Sequence, residues 1–290
     1  MTTSPRLGRL LITIYVVAFT LYLLAPLVVM GGAALNDSRF PSVYPWVGLT
    51  SRWFAELFQD QQMWLALLHT IVVALAVVAI AVPVGTAAAF VINGVQARAR
   101  SLLYGIMVAP ILTPGAVIGI ATILFWNRLN VPAGLHLSVL GQASFISAYA
   151  MLLVLARMQS LDPALEEAAL DLGASHSQVM RRIIIPHLYP AFAAAAVIAF
   201  FQSVENFNVT LFTSGNSSTL TVYVFSQVRA GITPKINALA LLMIGVTIAG
   251  ALAYEMKRRR VEMRVQADRK EVNAKEDFEL LGVPQMTTAG

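Results

Sequence analysis

The chain has 290 residues, 58% of them hydrophobic and 12% charged, and a mean hydropathy of +0.71. Soluble domains carry about 25% charged residues, so a soluble globular protein is excluded and a polytopic membrane protein is expected. There is no cysteine, which excludes disulfides, thiolate metal sites and thiol nucleophiles, and the net charge of +5 speaks to membrane topology before nucleic acid.

In chain order, Arg6 and Arg9 precede an apolar run over 10–35. That run is too long for a signal-peptide core and predicts an uncleaved first span. Residues 36–62 are polar with aromatics. Within them Trp53, Phe54, Leu57 and Phe58 share one face of a short helix, which could lie in the membrane interface or pack on the protein. A second span is expected over 64–92, with Pro83 and Gly85 as kink sites. A short basic loop follows over 93–100.

The third span, 101–126, contains Pro110, Pro114, Gly115 and Gly119. Such residues inside a membrane helix need neighbours that satisfy the freed backbone, which fits a buried helix beside a translocation path. A polar loop at 127–137 leads to the fourth span, 138–159, and the fifth is expected over 189–208. Residues 209–235 read as a Thr/Ser/Gly-rich external segment with a short amphipathic helix at 220–227. The sixth span covers 236–254. The fold class is therefore all-α integral membrane with six transmembrane helices: a transmembrane domain over 1–255 and a charged tail over 256–290, solvated and partly disordered.

Charge sets the orientation. Six spans place both termini on one side. Fifteen of the twenty Lys and Arg residues fall on that side: Arg6, Arg9, Arg98, Arg100, Arg157, Arg181, Arg182 and the eight of the tail. The positive-inside rule then puts the termini and the loop between spans four and five in the cytoplasm.

That loop, 161–188, is the most structured polar stretch. Asp162 is an N-cap and Pro163 takes the first helical position, where a missing N–H costs nothing. Glu166, Glu167, Ala168, Ala169 and Leu170 favour helix. Gly173 stops it, and Ser175-x-x-Gln178 is a capping box that starts a second short helix. Pro186 is expected to end that helix.

The spacing Glu167-Ala168-Ala169, then Gly173, then Ile183-x-Ile185-Pro186 resembles the EAA loop of ABC-transporter permease subunits, with Ile185 where the family has Leu. The resemblance implies a helix-turn-helix that couples the permease to a separate ATP-binding subunit dimer. It implies that Glu167 pairs with a basic residue of that subunit. Ala168 and Ala169 would permit close approach, Gly173 the turn, and Arg181, Arg182 and Pro186 complete the loop. The chain has no G-x-x-x-x-G-K-[S/T] phosphate loop and is not expected to hydrolyse ATP itself, so the resemblance implies that this activity lies in the partner and that the chain is not an enzyme. The resemblance further implies a second permease, an external solute-binding protein, surrounding lipid, no cofactor of its own and an inner-membrane location.

Residues 36–40, 161–186 and 231–240 are similar to spermidine/putrescine permeases. The wider group includes permeases for opines, aminoalkylphosphonates, iron(III) and thiamine. One constellation bears on substrate. Gln202, Glu205 and Asn206 stand at i, i+3 and i+4, with Asn208 just beyond. Glu205 is roughly 24 Å along the span from Tyr189, near its external end. An acid there is costly unless it faces water or a partner, and a carboxylate flanked by amides suits an ammonium group. The four histidines, His69, His136, His176 and His187, lack metal-ligand spacing. The readings from another class are an ATP-independent secondary transporter or a membrane enzyme. Neither an inverted repeat nor a nucleophile–base pair supports them.

Overall fold

The computed structural model describes residues 5–231 and 233–280. The helices are α1 (Pro5–Leu35), α2 (Arg52–Phe58), α3 (Gln61–Gly94), α4 (Ala97–Leu112), α5 (Gly115–Arg128), α6 (Leu135–Met158), α7 (Pro163–Asp171), α8 (His176–Val179), α9 (Ile185–Val204), α10 (Asn208–Thr213), α11 (Leu220–Ala230) and α12 (Pro234–Leu280). Five helical segments are long and apolar enough to cross a membrane, or six if the bent pair α4–α5 counts as one span. The chain divides into two compact units, one from the described residues up to Leu57 and from Thr233 onward, the other over 58–232.

In the first unit, α1 packs on α12, and the loop after α1 is organised by one side chain. Asn36 is fully buried. Its Nδ2 donates to the carbonyls of Ser42 (2.9 Å) and Pro45 (3.1 Å), and its Oδ1 accepts from the backbone N–H of Val47 (2.8 Å). Its carbonyl accepts from Trp53 Nε1 at 2.9 Å. Both side-chain protons of this buried amide are used, and Oδ1 also takes a longer bond from Gly48 N–H (3.4 Å), as burial requires. Of the aromatic face read in α2, Trp53 and Leu57 are buried, so packing on the protein prevails there, while Phe58 stays exposed.

In the second unit, α3, α6 and α9 form the core. One layer gathers Val73, Val77, Ala81, Ile146 and Ala199, and another Ala89, Ile92, Met151, Val154 and Leu188. α3 continues as one helix through Pro83 and Gly85. Gly85 serves approach: a Cβ there would come within 2.7 Å of Ala150 Cβ on α6.

Three expectations are corrected. The third span is not one helix, because α4 and α5 meet at 102°. Thr113 is extended (φ −84°, ψ 130°), as the residue before Pro114 prefers, and this ends α4. Nor does Pro186 stop the helix that starts at His176. A π-helical turn over Met180–Ile184, with Ile185 N–H bonded to the Met180 carbonyl five residues back, widens the ladder, and α9 carries Pro186 in its first turn. Finally, α12 runs without a break from the sixth span through Leu280, so the described part of the tail is helical. Arg259–Glu255 and Arg258–Glu262 pairs at i,i+4 (both 2.8 Å) support its start. Residues 281–290 lie outside the described residues.

Candidate functional site

Two sites stand at opposite ends of one rod, the 29-residue segment His176–Val204. At the first end, α7 and α8 form a hairpin whose ends are satisfied from within. Asp162 Oδ1 accepts from Ala164 N–H (3.0 Å), with Pro163 at the helix start. Gly173 sits at φ +87°, where its N–H reaches the Leu170 carbonyl (2.9 Å) and Ala174 N–H the Ala169 carbonyl (3.0 Å). That pair of bonds is a Schellman turn. The Ser175–Gln178 capping box is closed in both directions (2.7 and 3.3 Å).

The hairpin base is tied. Arg157 Nε donates to the His187 carbonyl (3.0 Å), and the His187 ring Nε2 lies 3.1 Å from the Arg157 carbonyl. Arg157 thus has a structural role beyond its charge. Glu167, Ala168, Arg181, Arg182 and Pro186 are exposed and Ala169 is half-buried. Ala169, Gly173, Val179 and Arg182 line an apolar crease of about 480 Å³. Leu172, 90% exposed, stands beside it as a bare apolar tip. Sequence reasoning passed over Leu172; its signal was a large apolar residue just before the turn glycine, where no described residue covers it.

At the other end, α9 stops at Val204, four residues earlier than expected, and Glu205 becomes its C-cap. Glu205 N–H still bonds to the Phe201 carbonyl (3.1 Å), so Gln202 and Glu205 keep one helical face, while Asn206 lies beyond the helix end. All four predicted residues nevertheless meet: Gln202, Glu205, Asn206 and Asn208 line one cavity of about 300 Å³ with Thr113, Tyr149 and Phe207. The α4–α5 break forms another wall through Pro110, Thr113 and Gly115. Unwound backbone in a membrane span is tolerated where it lines a cavity, which is its situation here.

A buried polar chain holds this end. Gln142, fully buried on α6, accepts from Ser203 Oγ (2.5 Å) and donates to Thr210 Oγ1 (2.8 Å). Ser138 and Thr213 hydroxyls pair at 2.9 Å. Asn206 is partly spent on structure, since its Oδ1 accepts from Val209 N–H (3.1 Å) and its carbonyl from Thr210 and Thr221 hydroxyls. Phe207 packs on Phe225 of α11 with ring centroids 4.8 Å apart. α11 is itself clamped to α3 by Tyr223 Oη to Asp60 (2.7 Å) and Leu220 N–H to Thr70 Oγ1 (2.8 Å). Burial, reinforced by Asp60, pushes the Tyr223 hydroxyl above its ordinary range, so it stays a donor.

Glu205 is exposed, and among the described residues no Lys or Arg pairs with it. A carboxylate at a helix C-terminus adds to the negative end of the helix dipole, so the position attracts cations. Tyr149 and Phe207 supply aromatic faces to the same cavity, which sequence reasoning missed because Tyr149 is distant in sequence. No group of three His, Cys, Asp or Glu residues among the described residues is placed to hold a metal.

Residues 81–265 match the family described as binding-protein-dependent transport system inner membrane component. The chain belongs to that family. The permease is 32% identical over 264 residues to the putrescine transport system permease protein PotI of Escherichia coli (strain K12), covering 88% of this chain and 93% of that protein. It is 27% identical over 251 residues to the spermidine/putrescine transport system permease protein PotC of the same strain, covering 86% and 94%. Among solved structures it resembles a bacterial ABC transporter involved in import of the acidic polysaccharide alginate, with TM-score 0.67, 20% identity, and 87% and 95% of the two chains covered. That likeness fixes the fold of the permease as that of an ABC importer subunit. By family it is a multi-pass inner-membrane transport component and not an enzyme.

Proposed function

We propose that the permease takes up a small amine-bearing, polyamine-like solute as one transmembrane subunit of an ABC importer. The observation that carries the substrate class is Glu205, a lone carboxylate at a helix C-terminus on a cavity that also carries Tyr149 and Phe207. The lining residues include one acid and no Lys, Arg or His, which favours a cation over the anionic groups of opines or phosphonates. The names of the relatives PotI and PotC point the same way.

In this reading the hairpin of α7 and α8 docks on a separate ATPase dimer on the cytoplasmic side, where the charge bias also puts both termini. Glu167 pairs with a basic residue of the ATPase, with Arg181 and Arg182 beside it, and Leu172 enters an apolar socket. A second permease completes the pathway, and an external binding protein delivers solute to the Glu205 end. Closure of the ATPases on ATP draws the hairpin, and the rod His176–Val204 carries that motion to the cavity.

The test is reconstitution in proteoliposomes with the ATPase, partner permease and binding protein. Uptake of labelled putrescine should require ATP, be competed by other diamines and be abolished by Glu167→Lys in protein that still inserts. Transport by the lone chain without an ATPase would overturn the reading.

A further inference from the structure

Between α1 and α2 the chain exposes large apolar side chains that neither site uses. Tyr44 is 89%, Leu49 77% and Phe40 74% exposed, and Val43, Trp46 and Val47 are exposed beside them. They are not on a floppy loop. Asn36 holds the segment through four backbone partners, Thr50 N–H bonds to the Leu35 carbonyl (2.9 Å), and Asn36 bridges to Leu49. A rigid exposed apolar ledge is costly in water, and its size requires an occupant.

Depth identifies that occupant. Every residue of α1 from Arg9 to Val29 is exposed, and the segment is apolar on all sides, the surface that a helix set in lipid presents. From Arg9 to Asn36 the helical rise is about 40 Å, close to the thickness of a bilayer with its headgroups. The ledge therefore starts at the headgroup level. It then folds back along the helix. Val43 packs against Gly32, whose Cβ would lie 3.1 Å from Val43 Cγ2. Gly32 is one turn short of the helix end, so the ledge reaches about 6 Å back toward the hydrocarbon. That is the depth at which amphipathic elements rest, and Trp and Tyr are the residues that favour it.

We infer that the 40–49 ledge is an interfacial anchor, inserted into the lipid leaflet at the C-terminal end of α1 and continuous with the lipid-facing surface of that helix. It fixes the depth and tilt of the first span and leaves the Glu205 cavity to the other unit of the chain.

The absence of cysteine makes the test direct. Tyr44→Cys and Leu49→Cys would each carry a single bimane label when this chain is labelled before assembly with its unlabelled partner subunits in nanodiscs. Val28→Cys supplies a buried-in-lipid control and Glu262→Cys an aqueous one. Both ledge labels should lose more than about half their emission to lipid with a shallow (5-doxyl) quencher, less to a 12-doxyl lipid and little to aqueous iodide. Labels quenched by iodide as Glu262→Cys is would overturn the inference. So would labels shielded from both quenchers, since that outcome assigns the ledge to a protein partner.

Discussion

The two ends of the rod His176–Val204 are built in opposite ways. The hairpin itself is held by bonds between near neighbours, Asp162 to Ala164, Ala169 to Ala174 and Ser175 to Gln178, with one longer tie at its base between Arg157 and His187. α7 buries none of its residues in the rest of the chain. The cavity end is held by bonds across long sequence separations, 61 residues for Ser203–Gln142 and 68 for Gln142–Thr210. A locally closed hairpin keeps its shape without a neighbour, which suits the docking role proposed for it. A cavity end made of tertiary bonds takes its shape from three helices at once, and any shift between them reaches Glu205.

The strongest way to break the contrast is at Gly173. Its φ of +87° strains an ordinary side chain by about 1–2 kcal/mol, least for Asn and Asp and most for a β-branched residue, and the turn has no tertiary support to compensate. Gly173→Val should abolish uptake and ATPase coupling with insertion retained, whereas Gly173→Asn, which tolerates this conformation, should retain measurable uptake. Normal uptake by Gly173→Val would remove the hairpin from the mechanism.

Next in size is Glu205→Gln. Losing a charge-assisted contact of about 1.5–3 kcal/mol should raise the half-saturating solute concentration roughly 10- to 100-fold, with thermal stability unchanged. Unchanged transport kinetics would count against direct contact.

Gln142→Ala tests the tertiary end itself. It strands the hydroxyl of Ser203 and takes a donor from Thr210, whose own proton stays on the Asn206 carbonyl; an unsatisfied buried group costs about 1–3 kcal/mol, so the melting temperature in detergent should fall by several degrees. Uptake should weaken with it, and an unshifted melting curve would show that the buried chain carries no stability.

The smallest effect belongs to Ser175→Ala. One N-cap is worth about 1 kcal/mol, and α8 is also held by its continuation into the π turn and α9. Uptake should stay near wild type. A large loss there would mean that the hairpin is less self-contained than its bonds imply.

The same contrast accounts for what could be read in advance. Asp162, Pro163, Gly173 and the Ser175–Gln178 box were legible because caps and turns act over three or four residues, and each was found in its expected bond. The spans were legible because twenty-odd apolar residues leave no alternative. Pro186 is the exception: a proline forbids a regular α ladder, but a π turn at Met180–Ile184 can absorb it, and no local rule selects between breaking and widening. Pro114 was read as a tolerable interior residue, yet with Thr113 extended it turns the chain by 102°.

The sequence by itself determined the class of the protein, the number of apolar segments, the charge bias between their ends and the inner geometry of the hairpin. These depend on composition and on contacts within a turn or two. Only the tertiary structure decided that α9 stops at Val204, that Tyr149 and Phe207 share a cavity with Glu205, and that Gln142 is the hub behind them. Those depend on which helices meet at which depth, and packing between distant segments sets that.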